Sequence, residues 1–324
     1  MDLSRRFAQA WFGRTVFLLL ALNSCALIER PGFYGAEELR ETAGIIQDVK
    51  AFGRTLGIEP TDALSHTTGE GRALSMLWLW LQKAGTLALN RAIDIRMTVG
   101  ISSIKERAKI EQVYRVEDYS VYYRQGNEFA DSRSAVTPSF AAQGMVRRVT
   151  VILHEDLHGD ANFALSWDIE EAVVTPLGAL AAADYFKHKG DAENLERARS
   201  ALNEGRQISR ELRKLANEAE AIFQNAPVED AKHKILALLP SYPAYQSMFQ
   251  RQIVGQHPAT VLEAKLSHDF AYFRYFDLIV TLTEKPLALD ALIAELKKLP
   301  RDATPEITDI FLVGLESKYP ATTK

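Results

Sequence analysis

The chain has 324 residues, with 38 Lys+Arg against 42 Asp+Glu, a formal charge of −4, one Cys and 47% hydrophobic residues. At ~150 residues per domain this is enough for one large core or two smaller ones, and such apolar content beside 25% charged residues excludes both a disordered chain and a polytopic membrane protein. A near-neutral balance with no long basic block offers no electrostatic footprint for nucleic acid, and a single Cys cannot form an internal disulfide.

At the N-terminus Arg5, Arg6 and Arg14 precede the short apolar run Val16 to Leu22, and Asn23-Ser24-Cys25 follows. A basic stretch, a short apolar stretch and a small residue form the pattern of a cleaved export signal, and the run is too short to cross ~30 Å of hydrocarbon as a helix. Leu22-Asn23-Ser24-Cys25 resembles the lipobox of bacterial lipoproteins. The resemblance implies that residues 1–24 are removed and that Cys25 is lipidated. The working protein would be tethered to a membrane by that anchor, in the bacterial cell envelope, facing the periplasm or the exterior. A plain signal peptide, or an N-terminal helix with a chance Cys, is the alternative.

Arg30-Pro31-Gly32 breaks the chain, and a helix is expected from about Gly35 to Gly57 with Ile45, Ile46, Val49 and Phe52 on one side. Residues 61–70 are turn-rich. The stretch 73–89, apolar on nearly all sides through Trp78, Leu79, Trp80 and Leu81, reads as a buried helix with both Trp side chains in the core. Strands of a small sheet are expected at 93–101, 109–116 and 119–124, and a loop at 127–138. Beyond Asp184 the pattern is helical throughout: a long amphipathic helix over 192–224, then helices over 228–239, 241–255, 260–284, 287–299 and 305–317. The expectation is an α+β front region, 25–185, and an all-α back region, 186–324, around one central site.

The chemistry is concentrated at His154-Glu155-Asp156-Leu157-His158, which fits the H-E-x-x-H pattern. With 7 His in the whole chain, chance yields it in roughly one such chain in a hundred. A helix sets positions i and i+4 on one face, so two imidazoles can converge on one ion at ~2.0–2.1 Å. Glu155 then stands beside the open coordination position, where it can take a proton from water acidified by the metal. A third ligand is available in Ser166-Trp167-Asp168-Ile169-Glu170-Glu171, the start of a second helix after the stop at Gly159, with Glu171 as ligand and Glu170 as its substitute. One feature opposes the helix carrying the pattern. Val149-Thr150-Val151-Ile152 is a β-branched run, and read locally 147–153 is equally a buried strand.

H-E-D-L-H followed after a short turn by E-E-A-V-V-T resembles the gluzincin zinc metallopeptidases, and with the upstream lipobox is most similar to a family of bacterial lipoproteins described as aminopeptidases. The resemblance implies a zincin-like fold, α+β but mainly helical, with a small sheet beside the motif helix and an all-α C-terminal half closing the cleft. It also implies Zn2+ on His154, His158 and Glu171, Glu155 as catalytic base, and a peptide or protein substrate. Family members often take an oxyanion donor from the helical half. Among His268, Tyr272 and Tyr275 the expected donor is Tyr275, then His268. The sequence departs from the family at Asp156, where an apolar or small residue is usual, at Glu170, where Asn is usual, and at Thr175, where a carboxylate usually orients a ligand His. That role falls to Thr175, Asp168 or a backbone carbonyl, and Pro176 implies a kink or a fresh helix. His66, His188, His233 and His257 have no partner at ligand spacing and read as surface residues. Two other readings share the sequence: a lipoprotein keeping this scaffold without catalysis as a binding or assembly factor, and a helical envelope protein without metal.

Overall fold

A computed structural model describes residues 37–69, 73, 76–89, 95–100, 110, 112–126 and 129–320. The expected signal segment and Cys25 lie outside the described residues. Among those described, no helix is long and apolar enough to cross a membrane.

Among the described residues the chain is mainly helical with one small antiparallel sheet. Helix α1, Glu37–Thr55, forms as its apolar spacing dictates and buries Ile46, Val49 and Phe52. Strand β1, Met76–Lys83, lies between β2, Ile95–Gly100, and β3, Tyr119–Gly126. Met76 pairs with Gly100 and Gly126, and Leu81 with Ile95 and Val121. Two expectations are corrected here. Residues 76–83 are a strand and not a helix, because both faces of β1 are covered. Trp80 joins a cluster with Tyr122 and the helical half, while Leu79 and Leu81 pack with Val121 and Tyr123 on the opposite face. A strand buried on two sides loses its polar alternation and looks like a buried helix. The strand expected over 109–116 is instead helical at 110 and 112–113, with the Tyr114 amide donating to Ile110 O (2.8 Å), and leads by a turn into β3.

A one-turn helix, α2, Pro138–Ala141, is capped by Thr137, whose side chain accepts from the Phe140 amide. The motif helix follows as α3, Met145–Gly159. Its β-branched run is helical because Val149, Val151, Ile152 and Leu153 are all buried. Four poor helix formers cost about 2 kcal/mol in propensity, against about 1.5–3 kcal/mol for each aliphatic side chain removed from water. Burial wins. After a 3-10 turn, Ala161–Phe163, helix α4, Trp167–Lys189, packs along α3. It continues through Pro176 without a break and ends on Gly190 at φ 69°, so the boundary expected at 185/186 falls inside it.

Helices α5, Ala192–Asn225, α6, Val228–Leu238, and α7, Pro243–Gln252, follow near their expected positions. The single helix expected over 260–284 is two, α8, Pro258–Phe273, and α9, Phe276–Leu282. Side chains of α5 cause the break. Ser209 Oγ donates to Phe273 O and Arg213 Nη2 to Arg274 O, both at 2.6 Å, taking carbonyls a continuous helix would use. Helices α10, Leu289–Leu296, and α11, Pro305–Lys318, complete the chain.

The sheet is fastened to α8 by polar contacts. Ser120 Oγ donates to Thr260 O (3.1 Å) and Ala88 N to Ser267 Oγ (3.0 Å). The Gln256 amide bonds both backbone groups of Tyr123, accepting from its N–H (2.9 Å) and donating to its C=O (3.0 Å). One hydrophobic cluster gathers α1, α3, α4 and the C-terminal helices, and a second lies between the sheet and α5, α7 and α8. A cleft lined from both sides opens between the sheet and the α3/α4 pair.

Candidate metal centre

The cleft encloses about 600 Å3. Along α3, Arg147, Thr150, Val151, His154, Glu155 and His158 line it at helical spacing, and α4 contributes Trp167, Glu170, Glu171 and Thr175. Trp78, Trp80 and Arg124 of the sheet and His268 and Tyr272 of α8 form the other walls.

The close approach of α3 and α4 brings the ligands together. Glu171, Thr175 and Gly178 share one face of α4 at i, i+4 and i+7. At Gly178 a Cβ would meet His154 Cβ at 3.1 Å, Cα at 3.3 Å and N at 3.4 Å, so the absent side chain sets how close the helices lie. His154 Nε2 and His158 Nε2 are 3.0 Å apart, and Glu171 Oε2 lies 3.6 Å from the first and 3.3 Å from the second. Ligand atoms ~2.0–2.2 Å from a tetrahedral ion stand about 3.4 Å from one another. The three side chains expected from sequence are thus at ligand spacing.

Their partners fit a cation as well. The His158 Nδ1–H donates to Glu170 Oε1 at 2.7 Å, which turns Nε2 toward the site. Glu170 therefore supplies the orienting carboxylate, in place of Thr175, Asp168 or a backbone carbonyl. Thr175 Oγ1 has no hydrogen-bond partner among the described residues. Glu171 Oε1 accepts from Trp167 Nε1 (3.1 Å) and from the Tyr272 hydroxyl (3.2 Å), while its Oε2 is buried with no hydrogen bond. That oxygen faces the two imidazoles, 3.6 Å from His154 Nε2 and 3.3 Å from His158 Nε2. Two imidazoles and one carboxylate form the donor set that suits zinc.

Electrostatics divide the pair of histidines. Burial, and then the neighbouring His158, push His154 down to about 3. Burial pulls His158 down too, but the charges of Glu171 and Glu170 outweigh it and hold it up, to about 10. Glu171 is held down at about 2 by His158 despite its burial.

Glu155, between the ligands in sequence, is buried and lines the same cleft. Asp156 points away from the cleft into a structural role. Its Oδ1 accepts from Lys50 Nζ (2.5 Å), Thr61 N (2.8 Å) and Thr61 Oγ1 (2.8 Å), tying α3 to α1 and the 61–63 turn.

The structure separates the two expected oxyanion donors. Tyr275 is fully buried in the core, its hydroxyl donating to Pro305 O at 3.1 Å, because α8 ends before it. His268 lines the cleft, its Nδ1 lies 3.0 Å from Asp269 Oδ1, and burial pushes its pKa down, to about 4. Asp269 in turn is held by Lys265 and by the Tyr245 hydroxyl (3.0 Å). Tyr272 is the tyrosine at the site. Burial and the charge of Glu171 push its phenol well above the usual range, so it remains a donor. Trp78 and Trp80, expected in the core, are cleft wall as well, and Trp80 stacks on Trp167 with ring centroids 4.6 Å apart. Sequence reading also missed Arg147, two turns before His154 on one helix face, and Trp167, one turn before Glu171. That spacing was the available signal.

No family model matches the chain, and neither a curated protein nor a solved structure matches it.

Proposed function

We propose that this chain is a zinc-dependent hydrolase of peptide bonds with a zincin-like arrangement of helices. One observation carries the reading: His154 Nε2, His158 Nε2 and Glu171 Oε2 converge at ligand spacing while Glu155 lines the same cleft. The gluzincin resemblance of the two motifs agrees with it. Aminopeptidase action is the finer form and rests on the lipoprotein resemblance alone. So does the placement in the bacterial cell envelope on a lipid at Cys25.

Zinc bound by His154, His158 and Glu171 would supply a Lewis acid for the scissile carbonyl and lower the pKa of water to about 7. The Glu155 carboxylate takes a proton from water as its oxygen bonds to the carbonyl carbon, then delivers that proton to the nitrogen as the C–N bond breaks. Glu170 fixes the His158 ring through Nδ1. The Trp78, Trp80 and Trp167 rings give the cleft an apolar wall that excludes water and accommodates side chains near the bond being cut.

Metal analysis of the purified protein, followed by a peptidase assay of wild type and Glu155→Gln, tests the proposal. One equivalent of zinc in both, with turnover reduced by about 10²–10⁴ in the variant, is the expected result. Zinc with no turnover in the wild type would leave a scaffold that binds metal without catalysis. Absence of zinc after reconstitution would overturn the reading.

A further inference from the structure

Glu171 has two oxygens in very different surroundings. Oε1 accepts two hydrogen bonds, from the Trp167 indole N–H at 3.1 Å and the Tyr272 hydroxyl at 3.2 Å, while Oε2 faces both imidazoles with no hydrogen bond of its own. The two donors come from different elements, one turn before Glu171 on α4 and from α8 across the cleft. Both are held by their own packing. Trp167 stacks on Trp80 at 4.6 Å, and the Tyr272 ring lies edge-on to Trp167 at 5.8 Å, with the Arg124 guanidinium over it at 5.5 Å. Each can therefore keep its donor on Oε1 at little further cost in side-chain entropy.

We infer that Trp167 and Tyr272 are positioning residues that hold Glu171 as a single-oxygen zinc ligand, and that they thereby keep the fourth coordination position open for water and substrate. The inference rests on the zinc reading above and deepens it. A carboxylate is free to bind an ion through one oxygen or two. Two donors on Oε1 oppose its turning toward the ion, because turning would break both hydrogen bonds in a buried setting. A catalytic zinc site has three protein ligands and one exchangeable position. Engagement of Oε1 would occupy it. Tyr272 thus acts through Glu171, and its hydroxyl is committed to that carboxylate instead of waiting for an oxyanion. The same two contacts link the ligand set to both walls of the cleft, so that the helical half and the sheet, through Trp80, share in fixing one atom.

Tyr272→Phe and Trp167→Phe each remove one donor and keep an aromatic ring in place. In the full chain, zinc affinity measured by competition with a chromophoric chelator is expected to fall about tenfold in each variant, within the range for loss of a partner to a ligand. X-ray absorption at the zinc edge is expected to report one close carboxylate oxygen in wild type and two in the double variant. Turnover should fall through kcat with KM little changed. Thermal unfolding of the metal-free proteins controls for folding, since a purely structural role would lower the melting temperature equally with and without zinc. Zinc affinity within twofold of wild type in both single variants, or an unchanged oxygen count in the double variant, overturns the inference. Because wild type is measured alongside, a wild type that binds no zinc would bring down the metal reading itself, whereas tight wild-type binding with indifferent variants brings down only this one.

Discussion

Gly178 is where helix packing and the proposed metal geometry meet, and Gly178→Ala separates them. In the middle of a helix Ala is preferred over Gly by about 1 kcal/mol, which alone would stabilise the variant. The new Cβ, however, would stand 3.1 Å from His154 Cβ and 3.3–3.4 Å from its backbone Cα and N. Backbone atoms in a packed helix cannot swing aside, so α3 and α4 must part by a few tenths of an ångström, at about 1–3 kcal/mol for overpacking. The net expectation is a change between neutral and about 2 kcal/mol destabilising. The ligand triangle opens at His154, and zinc affinity should fall about tenfold, equivalent to ~1.4 kcal/mol. Gly44→Ala in α1 is the control, since nothing lies within 4 Å of its Cβ position, and it should gain about 0.5–1 kcal/mol. Urea unfolding of both variants, with chelator competition for zinc, checks the pair. If Gly178→Ala gains stability as Gly44→Ala does and binds zinc as wild type does, then close approach at this glycine does not set the ligand spacing.

Lys50→Met strands the buried Asp156 carboxylate with only the two Thr61 donors, and should cost about 3 kcal/mol in urea unfolding, at the lower end for breaking a buried pair. Asp160 is held below the usual carboxylate range by Lys297 and Asn162 despite its burial, so its contribution is complete above its unfolded pKa of ~3.9 and is lost as the pH falls through its lower folded value. The stability gap between wild type and Lys297→Met should accordingly be full at neutral pH and shrink below about pH 4, and a gap that stays constant into acid would contradict this. Tyr275→Phe removes one hydrogen bond to Pro305 O, costing about 1 kcal/mol, and should leave peptidase turnover unchanged, against the role its sequence position suggested.

What could be read from the sequence and what could not follows from how local each determinant is. His154, His158 and Glu171 were legible because a four-residue step on one helix and a carboxylate on the next fix their convergence once both segments are helical. The motif helix itself was legible only as a choice, since the β-branched run argues for a strand until the burial of Val149, Val151, Ile152 and Leu153 is counted. Strand β1 was misread because alternation reports exposure, and both of its faces are covered. The tyrosines show the limit most clearly. Tyr272 and Tyr275 stand three residues apart and would share a face of an unbroken helix, so periodicity cannot separate them. Ser209 and Arg213 of α5 decide the matter by capturing the carbonyls of Phe273 and Arg274, which ends α8 between the two. One tyrosine is left on Glu171, and the other turns into the core. Side chains more than sixty positions away thereby choose which hydroxyl reaches the candidate metal site.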